Sequence, residues 1–254
     1  MACQVALTGH PILALAAAMA AGVCSGFVTA FLQTRLGVES IMAGIIVNTG
    51  LYTINLAAMG FSSTMSLVKT ETIFSLAKKS LGFLGSWYKL VLVGVIIALA
   101  CAAMLGFLGT RLGLSIRATG DNTAMVRASS INPAFTITVG LCVSGALCAL
   151  SGGLLAQFQG SSDINMGRGA IVIGLAAVII GEVAFGKVFI NFALKLLAVS
   201  IGAVIYYIVL QIVLQLGLNT NDLKLVSALI VAVFLAIPYW KGHIHTKKGG
   251  SVHA

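Results

Sequence analysis

The sequence contains very few charged residues. Only 8% of its 254 residues are Asp, Glu, Lys or Arg, whereas 59% are hydrophobic, and a soluble domain carries roughly a quarter charged residues. So few charges cannot cover a water-exposed surface, which excludes an ordinary soluble enzyme or binding domain. Three prolines against 29 glycines fit helices that pack closely in lipid. The sequence therefore predicts an all-α protein, a polytopic bundle of transmembrane helices.

Residue patterns that carry chemistry are also absent. The five cysteines show no CxxC spacing and lie mostly in apolar runs, which is typical of reduced packing residues. No HExxH motif, paired catalytic carboxylates or Ser/His/Asp set occurs, so we expect no catalytic residues and no metal site. His243 and His245 form an HxH in a tail that we interpret as solvated. The net charge of +9 comes without a dense basic stripe, which favours membrane-flanking charges over nucleic-acid binding.

Apolar runs predict about seven membrane segments. They cover residues 11–31, 41–60, 90–109, 134–157, 170–186, 188–216 and 224–238. Residues 170–186 are short enough either to span or to re-enter the membrane, and residues 188–216 are long enough to require a tilt or a break. We expect a single transmembrane domain over 1–240 and a flexible basic tail over 241–254.

The loops between these runs indicate an orientation. Placing the tail in the cytoplasm leaves a weak excess of Lys and Arg on the inside, as the positive-inside rule requires. Residues 61–88 then form a long outer loop, with a helix lying at the interface. Asp163 and Arg168 fall in an outer turn, where they either meet a binding protein or are solvated.

Small residues recur at every fourth position in two of the runs. In the first run they are Ala18, Gly22, Gly26 and Ala30, and in the fourth they are Gly140, Ser144, Cys148, Gly152 and Ala156. Such stripes let helix backbones approach one another in lipid. They predict two packing faces and say nothing about a substrate.

The most polar stretch between two long runs is residues 110–133. Asp121 follows a glycine and is a good N-cap residue, so we predict a short helix from about Asn122 to Ser129. Asn132 and Pro133 would end that helix and begin the next span. A short capped helix on the cytoplasmic face could receive force from a soluble partner, and an ordinary structured loop explains the spacing equally well.

This stretch resembles the cytoplasmic coupling segment of ATP-binding-cassette (ABC) importer permeases of the branched-chain amino acid and simple sugar type. The family pattern is roughly R-A-x-G-x-N, a short helix, and then G-I. The matching residues are Arg117, Ala118, Gly120, Asn122 and Ile131. Ser130 stands where the family usually has glycine.

Two further regions carry the resemblance. Residues 163–182 are similar to an outer turn followed by a glycine-rich, re-entrant helix, and residues 41–60 are similar to a family span. The chain looks most similar to a branch paired with lipoprotein-type binding proteins, some members of which handle aromatic amino acids. Permeases of this family usually have a helix before the span at 11–31, so we expect the first family span to be missing here.

The resemblance implies a transmembrane permease subunit of an ABC importer that moves a small organic solute, such as an amino acid, across the plasma (inner) membrane. The implied partners are an ABC ATPase subunit, a second permease copy in a homodimer, an extracytoplasmic solute-binding protein and the lipid bilayer. ATP and magnesium would then belong to the ATPase, and this chain would hold no cofactor. The residues expected to contact the ATPase are Arg117, Ala118, Gly120, Asp121, Asn122, Arg127 and Ile131.

Two other classes of function fit the sequence less well. A stand-alone ion-coupled secondary transporter would need intramembrane carboxylates, for which Glu182 is the one candidate. A membrane-embedded enzyme would need a catalytic constellation, which the sequence lacks. Residues 181–187 match most of a P-loop, but Val188 replaces the hydroxyl residue that binds magnesium. We therefore expect no nucleotide binding at this position.

Polar residues inside the apolar runs are the remaining candidates. Asn48, Tyr52 and Asn55 are spaced i, i+4 and i+7, so they share one helix face. They either line a translocation path or form interhelical hydrogen bonds, which are common for Asn in membranes. Glu182 and Lys195 could form an intramembrane charge pair. Glu182 could instead pair with an arginine of the coupling segment, or snorkel to the interface.

Overall fold

The computed structural model describes residues 10–67, 72–80, 87–167, 170–185 and 192–215, together with Ala232. In these residues the helices are α1 (Pro11–Arg35), α2 (Ser40–Ala58), α3 (Ile73–Ser80), α4 (Tyr88–Leu108), α5 (Arg111–Asp121), α6 (Thr123–Ala128), α7 (Pro133–Gln159), α8 (Ala170–Phe185) and α9 (Phe192–Gln215). Two three-residue strands are β1 (Thr64–Ser66) and β2 (Ser161–Asp163). The predicted helical fold is confirmed, with this small sheet as an addition.

Within the described residues, five helices are long and apolar enough to cross a membrane: α1, α2, α4, α7 and the part of α9 from Leu194 to Ile212. Helix α8 has 16 residues, which is about 24 Å at 1.5 Å per residue and less than the ~30 Å hydrocarbon core of a bilayer. Helix α9 has no break between Phe192 and Gln215. The expected segment at 224–238 and the tail at 241–254 lie outside the described residues, so the total of seven segments remains a prediction.

The chain divides into two compact units, Met1–Gly167 and Arg168–Ala254. In the first unit, α1 and α7 pack against each other with their backbones in direct contact. A Cβ atom added to Gly22 would overlap the carbonyl of Gly145, and one added to Gly26 would overlap the carbonyl of Leu141. The α1 stripe of Ala18, Gly22, Gly26 and Ala30 is buried, as its spacing predicts.

The stripe predicted for α7 is only partly on the packed face. Ala156 is buried in one cluster with Ala14 of α1, whereas Ser144, Cys148 and Gly152 are exposed. The close backbone contact with α1 is made one residue further along the chain, by Gly145 and Ala149. A stripe with four-residue spacing winds about 40° per step around a helix of 3.6 residues per turn, so two stripes that start one residue apart can both reach the face that packs. The stripe that contains Gly145 packs there, because the backbone of Gly145 can approach that of Gly22.

The far end of the first unit from residues 110–133 holds the small sheet, and we call it the sheet end. Strand β1 pairs antiparallel with β2, in the register Thr64–Asp163, Met65–Ser162 and Ser66–Ser161. Gly160 ends α7 with a left-handed φ of 66° and accepts a hydrogen bond from the Leu67 amide at 2.8 Å. Helix α3 lies in the predicted loop 61–88, but the pairing of that loop with residues 161–163 was not predicted.

The second unit is built on the contact of α8 with α9. A Cβ atom on Gly181 would lie 2.5 Å from the Ala198 carbonyl oxygen, and one on Gly202 would lie 2.6 Å from the Gly181 nitrogen. Next to this crossing, Ile180 and Tyr206 are fully buried with Ala176. The second unit therefore repeats the glycine-mediated packing of the first.

Candidate functional site

The polar stretch at residues 110–133 begins with a tight turn between α4 and α5. The Thr110 hydroxyl accepts a hydrogen bond from the Gly113 amide at 3.2 Å and so caps α5. Gly113 is buried so closely against the backbone of Phe107 and Leu108 that a Cβ atom would overlap both. Glycine is thus required at position 113 for α5 to begin directly after α4.

Asn122 separates the two short helices of this stretch. Its backbone is extended (φ −156°, ψ 106°), and its Oδ1 accepts hydrogen bonds from the amides of Ala124 at 2.9 Å and Met125 at 3.2 Å. Asn122 is therefore the N-cap of α6, and the prediction that Asp121 fills this position was wrong. Asp121 is the last residue of α5. Aspartate and asparagine cap equally well, so their order alone could not decide between them.

Helix α6 ends in a Schellman motif. The Ile131 amide donates to the Val126 carbonyl at 3.2 Å, and the Ser130 amide donates to the Arg127 carbonyl at 3.1 Å. Ser130 has a left-handed φ of 61°, a conformation that glycine usually supplies at this position. The glycine of the family pattern thus corresponds to a backbone requirement, which Ser130 meets with strain. Asn132 then caps α7 by accepting a hydrogen bond from the Ala134 amide at 3.0 Å.

The two short helices are fixed to α7. Val126 of α6 is 2% exposed. Thr119 of α5 and Thr136 of α7 are both buried, and their hydroxyl oxygens are 2.9 Å apart. Ile116 of α5 lies 3.6 Å from the position of a Cβ atom on Gly140. An element held by a buried hydrogen bond and apolar contacts moves together with the helix that holds it.

The other side of these helices is exposed. Met125 is 67% exposed although it is apolar. Of the residues predicted from the sequence, Arg117, Gly120, Asp121, Asn122 and Arg127 are exposed, and Ala118 and Ile131 are half-buried. The structure thus places most of the predicted residues on one accessible segment. Met125 was not among the predicted residues, although it stands out in the sequence as an apolar residue within a polar loop.

The polar stripe of α2 faces away from the packed side of its helix. Ala43 and Val47 are buried, whereas Asn48, Tyr52 and Asn55 are exposed. Tyr52 follows Ala43 by nine residues, which places it on about the opposite side of a helix with 3.6 residues per turn. In the described part of the chain, neither asparagine side chain forms a hydrogen bond to another helix. The two asparagines are therefore available to face a path, lipid or another chain.

The remaining candidates do not assemble into a site. Glu182 on α8 and Lys195 on α9 are both exposed, and the described residues contain no ion pair between them. Residues 181–185 are helical, which is incompatible with a phosphate-binding loop at that point. Asp163 lies in β2 and accepts a hydrogen bond from the Asn165 amide at 2.7 Å. Arg168, His243 and His245 lie outside the described residues.

Comparison with known proteins decides the family. Residues 1–238 match the family described as branched-chain amino acid transport system / permease component. The chain belongs to this permease family. It is 34% identical over 226 residues to the tyrosine transport system permease protein of Clostridioides difficile (strain R20291), covering 89% of this chain and 72% of the relative. It is also 33% identical over 225 residues to an uncharacterised protein of Rickettsia prowazekii (strain Madrid E), covering 88% of this chain and 78% of the relative. No solved structure matches the chain significantly.

Family membership establishes the class of function. The chain is a multi-pass membrane permease subunit of an ABC-type importer, which is a transport subunit and not an enzyme. Permeases of such transport systems work with an ATPase subunit and a solute-binding protein. We refer to residues 110–131, which contain α5 and α6, as the coupling segment.

Proposed function

We propose that this permease imports an amino acid and that its coupling segment is the contact for the ATPase. The proposal rests on two properties of the coupling segment. Its tip, which is Met125 with the exposed polar residues of α6, is accessible, and its base, which is Val126 and Thr119, is buried against the permease. A docking element needs both properties, because a force applied at the tip is transferred to the membrane helices only if the buried residues stay in contact with them.

The chemistry of the tip suits a protein partner. Exposed methionine is adaptable and fills irregular apolar pockets, and Arg127 offers a planar donor group that matches carboxylates on a partner. ATP and magnesium would bind to the partner, so that this chain holds no cofactor. Docking of a cytoplasmic ATPase at α6 would place the coupling segment on the cytoplasmic side of the plasma membrane. The C-terminus lies on the same side if all four later segments, 134–157, 170–186, 188–216 and 224–238, cross the membrane.

The solute path would run between two permease copies in a homodimer. The exposed stripe of Asn48, Tyr52 and Asn55 supplies neutral donors and acceptors along one face of α2. Such groups can replace the hydration of a zwitterion without holding it as firmly as buried charges would. The stripe is the part of the chain best suited to line this path.

The class of solute follows from the relatives. The family description names branched-chain amino acids, and one relative is named for tyrosine. We infer that the solute of this chain is an amino acid delivered by an extracytoplasmic binding protein. Thermal-shift screening of the co-purified binding protein against all amino acids and common sugars tests this. Stabilisation by an amino acid is expected, and stabilisation by a sugar alone would contradict the inference.

The contact with the ATPase can be tested by affinity purification of the tagged permease from native membranes. The wild-type chain should retain a stoichiometric ATPase subunit. Replacing residues 120–127 with a Gly/Ser linker, or Met125 with Glu, should remove that subunit while the permease remains folded. Leu114→Glu is the matched control, because Leu114 is also exposed but lies away from the tip, toward the beginning of α5. Retention of the ATPase by the linker variant would reject the proposed contact.

A stand-alone ion-coupled transporter finds less support. Of the acidic residues in the described part of the chain, Glu182 is the one within a predicted membrane segment, and it is exposed at the end of α8. An ion site is usually built from several converging oxygen ligands and broken helices. The described helices contain no such arrangement.

A further inference from the structure

Among the described residues of the first unit, three polar side chains are buried: Thr119, Thr136 and Gln157. Burying a polar group is costly unless it is hydrogen-bonded. All three form hydrogen bonds. Thr136 lies near the beginning of α7 and Gln157 near its end, and Thr119 of α5 contacts Thr136. The buried polar groups of the first unit are therefore concentrated where α7 meets other elements.

The first connection joins the beginning of α7 to the coupling segment. The hydroxyls of Thr119 and Thr136 are 2.9 Å apart. Each oxygen also lies near a carbonyl of its own helix, Ser115 at 2.7 Å and Pro133 at 2.9 Å. Each hydroxyl has one proton, so one hydroxyl donates to the other, which in turn donates to its carbonyl. The pair links the two helices by a short chain of hydrogen bonds.

The second connection joins the end of α7 to the sheet end. The Gln157 Nε2 donates to the Pro11 carbonyl of α1 at 3.2 Å, and its Oε1 accepts from the Ile73 amide of α3 at 3.1 Å. The next residue, Phe158, packs edge-on against Phe74 of α3 at 5.4 Å. Lys89 of α4 places its Nζ 5.4 Å from the centre of the Phe158 ring. Three separate segments are thus held by two adjacent residues of α7.

Between these connections α7 is an uninterrupted helix. It has 27 residues, or about 40 Å at 1.5 Å per residue, and it contains no proline after its first position. Sharp kinks arise at proline, at Gly/Ser pairs or at breaks in the helical hydrogen bonds. Helix α7 stays continuous through its two Ser-Gly sequences, Ser144-Gly145 and Ser151-Gly152, so a displacement applied at Thr136 can be transferred along it.

We propose that α7 is the element that transmits the nucleotide-dependent movement of the coupling segment to the sheet end, through the Thr119–Thr136 pair and Gln157. The inference rests on the proposed function in assigning the coupling segment to an ATPase. Thr119, Thr136 and Gln157 are positioning residues, because they contact neither solute nor nucleotide. In this arrangement the docking of the ATPase and the conformation of residues 64–67, 72–74 and 161–163 depend on each other.

Hydrogen–deuterium exchange of the permease–ATPase complex, purified from native membranes through the permease, tests the transmission. Exchange is compared without nucleotide and with ATP plus orthovanadate. In the wild type, nucleotide should change deuterium uptake both in the coupling segment and in α3 at the sheet end. With Thr119→Val or Gln157→Met, the change should persist in the coupling segment and be lost in α3.

Two control variants separate transmission from general loosening. Thr119→Ser keeps the hydroxyl and should retain the response of α3. Thr138→Val removes a hydroxyl of α7 that bonds only to the Ala134 carbonyl of its own helix, and it should also retain the response. A merely structural role would change the baseline exchange of the variants but would not abolish the nucleotide response at one end alone.

The outcomes are distinct. A wild-type α3 that does not respond to nucleotide, or an α3 that responds equally in Thr119→Val and Gln157→Met, would overturn the inference while leaving the proposed function intact. If Thr119→Val fails to assemble with the ATPase, Gln157→Met decides the question, because it lies at the other end of α7. Absence of any co-purified ATPase from the wild type would instead overturn the proposed function and this inference with it.

Discussion

Gly22 of α1 and Gly145 of α7 lie so close that a Cβ atom on either would overlap the backbone carbonyl of the other. Gly26 makes the same kind of contact with Leu141. In lipid, helices gain little from burying apolar side chains, so close backbone packing of small residues is a main source of their association. The pairing of α1 with α7 thus depends on glycine at these positions.

Substitution at this contact should destabilise the protein. Gly145→Ala forces the two helices apart, and overpacking of this kind costs about 1–3 kcal/mol. The melting temperature of the purified permease in detergent should fall by about 2–4 °C for each kcal/mol lost. Gly44→Ala on α2 is the control, because nothing lies within 4 Å of its added Cβ atom. Equal melting temperatures for the two variants would contradict the packing described.

Ser130, which has a left-handed conformation at the end of α6, gives a prediction of higher rather than lower stability. Ser130→Gly should stabilise the coupling segment by about 0.5–1 kcal/mol, because the left-handed conformation costs a residue with a Cβ atom about 1–2 kcal/mol and the greater freedom of glycine in the unfolded chain offsets part of the gain. Slower hydrogen exchange of the α6 amides would report this. Ser129→Gly is the matched control, because Ser129 has a φ of −84° and gains no relief. Faster exchange in Ser130→Gly would refute the assignment.

The N-cap of α6 gives a third prediction. Asn122→Ala removes the acceptor for two amides and should cost about 1 kcal/mol, with faster exchange over Thr123–Ala128 and weaker retention of the ATPase. Asn122→Ser should largely restore both. Asp121→Ala should leave the exchange of α6 unchanged, because Asp121 ends the preceding helix. Fraying of α6 in the Asp121 variant but not in the Asn122 variant would show that Asp121 is the N-cap.

The polar stripe of α2 gives a fourth prediction. Asn48→Leu and Asn55→Leu should each lower the uptake of radiolabelled amino acid by cells whose own permease gene is replaced, while the amount of assembled complex is unchanged. The reason is loss of neutral polar groups from an exposed face without disturbance of the packed face at Ala43 and Val47. Ile54→Leu, also exposed on α2, is the control. Normal uptake by both asparagine variants would show that the stripe does not line the translocation path.

Hydropathy and local motifs predicted the elements of this fold that depend on neighbouring residues. The run at 134–157 corresponds to α7, and the Asn132–Pro133 boundary is where α7 begins, because a cap and a proline act within one turn. The short helix predicted from about Asn122 to Ser129 corresponds to α6 for the same reason. Helix α5 before it was not predicted, nor was the N-cap residue of α6, since the choice between Asp121 and Asn122 depends on backbone angles that residue types alone leave open.

Features that depend on contacts between distant residues were not predictable. The pairing of β1 with β2 joins residues about a hundred positions apart, and nothing in either three-residue strand specifies the other. The choice of Gly145 over Ser144 as the contact of α7 depends on how α1 is oriented. The role of Gln157 at the sheet end required the positions of Pro11 and Ile73.

The most direct test of the account is the energy source of transport. The complex of permease, ATPase and binding protein is reconstituted in liposomes with ATP on the side of the coupling segment, and uptake of the amino acid identified by the binding-protein screen is measured. We expect uptake that requires ATP and the ATPase and is lost when residues 120–127 are replaced by a Gly/Ser linker. Uptake by the permease alone, driven by a proton or sodium gradient without ATP, would contradict it.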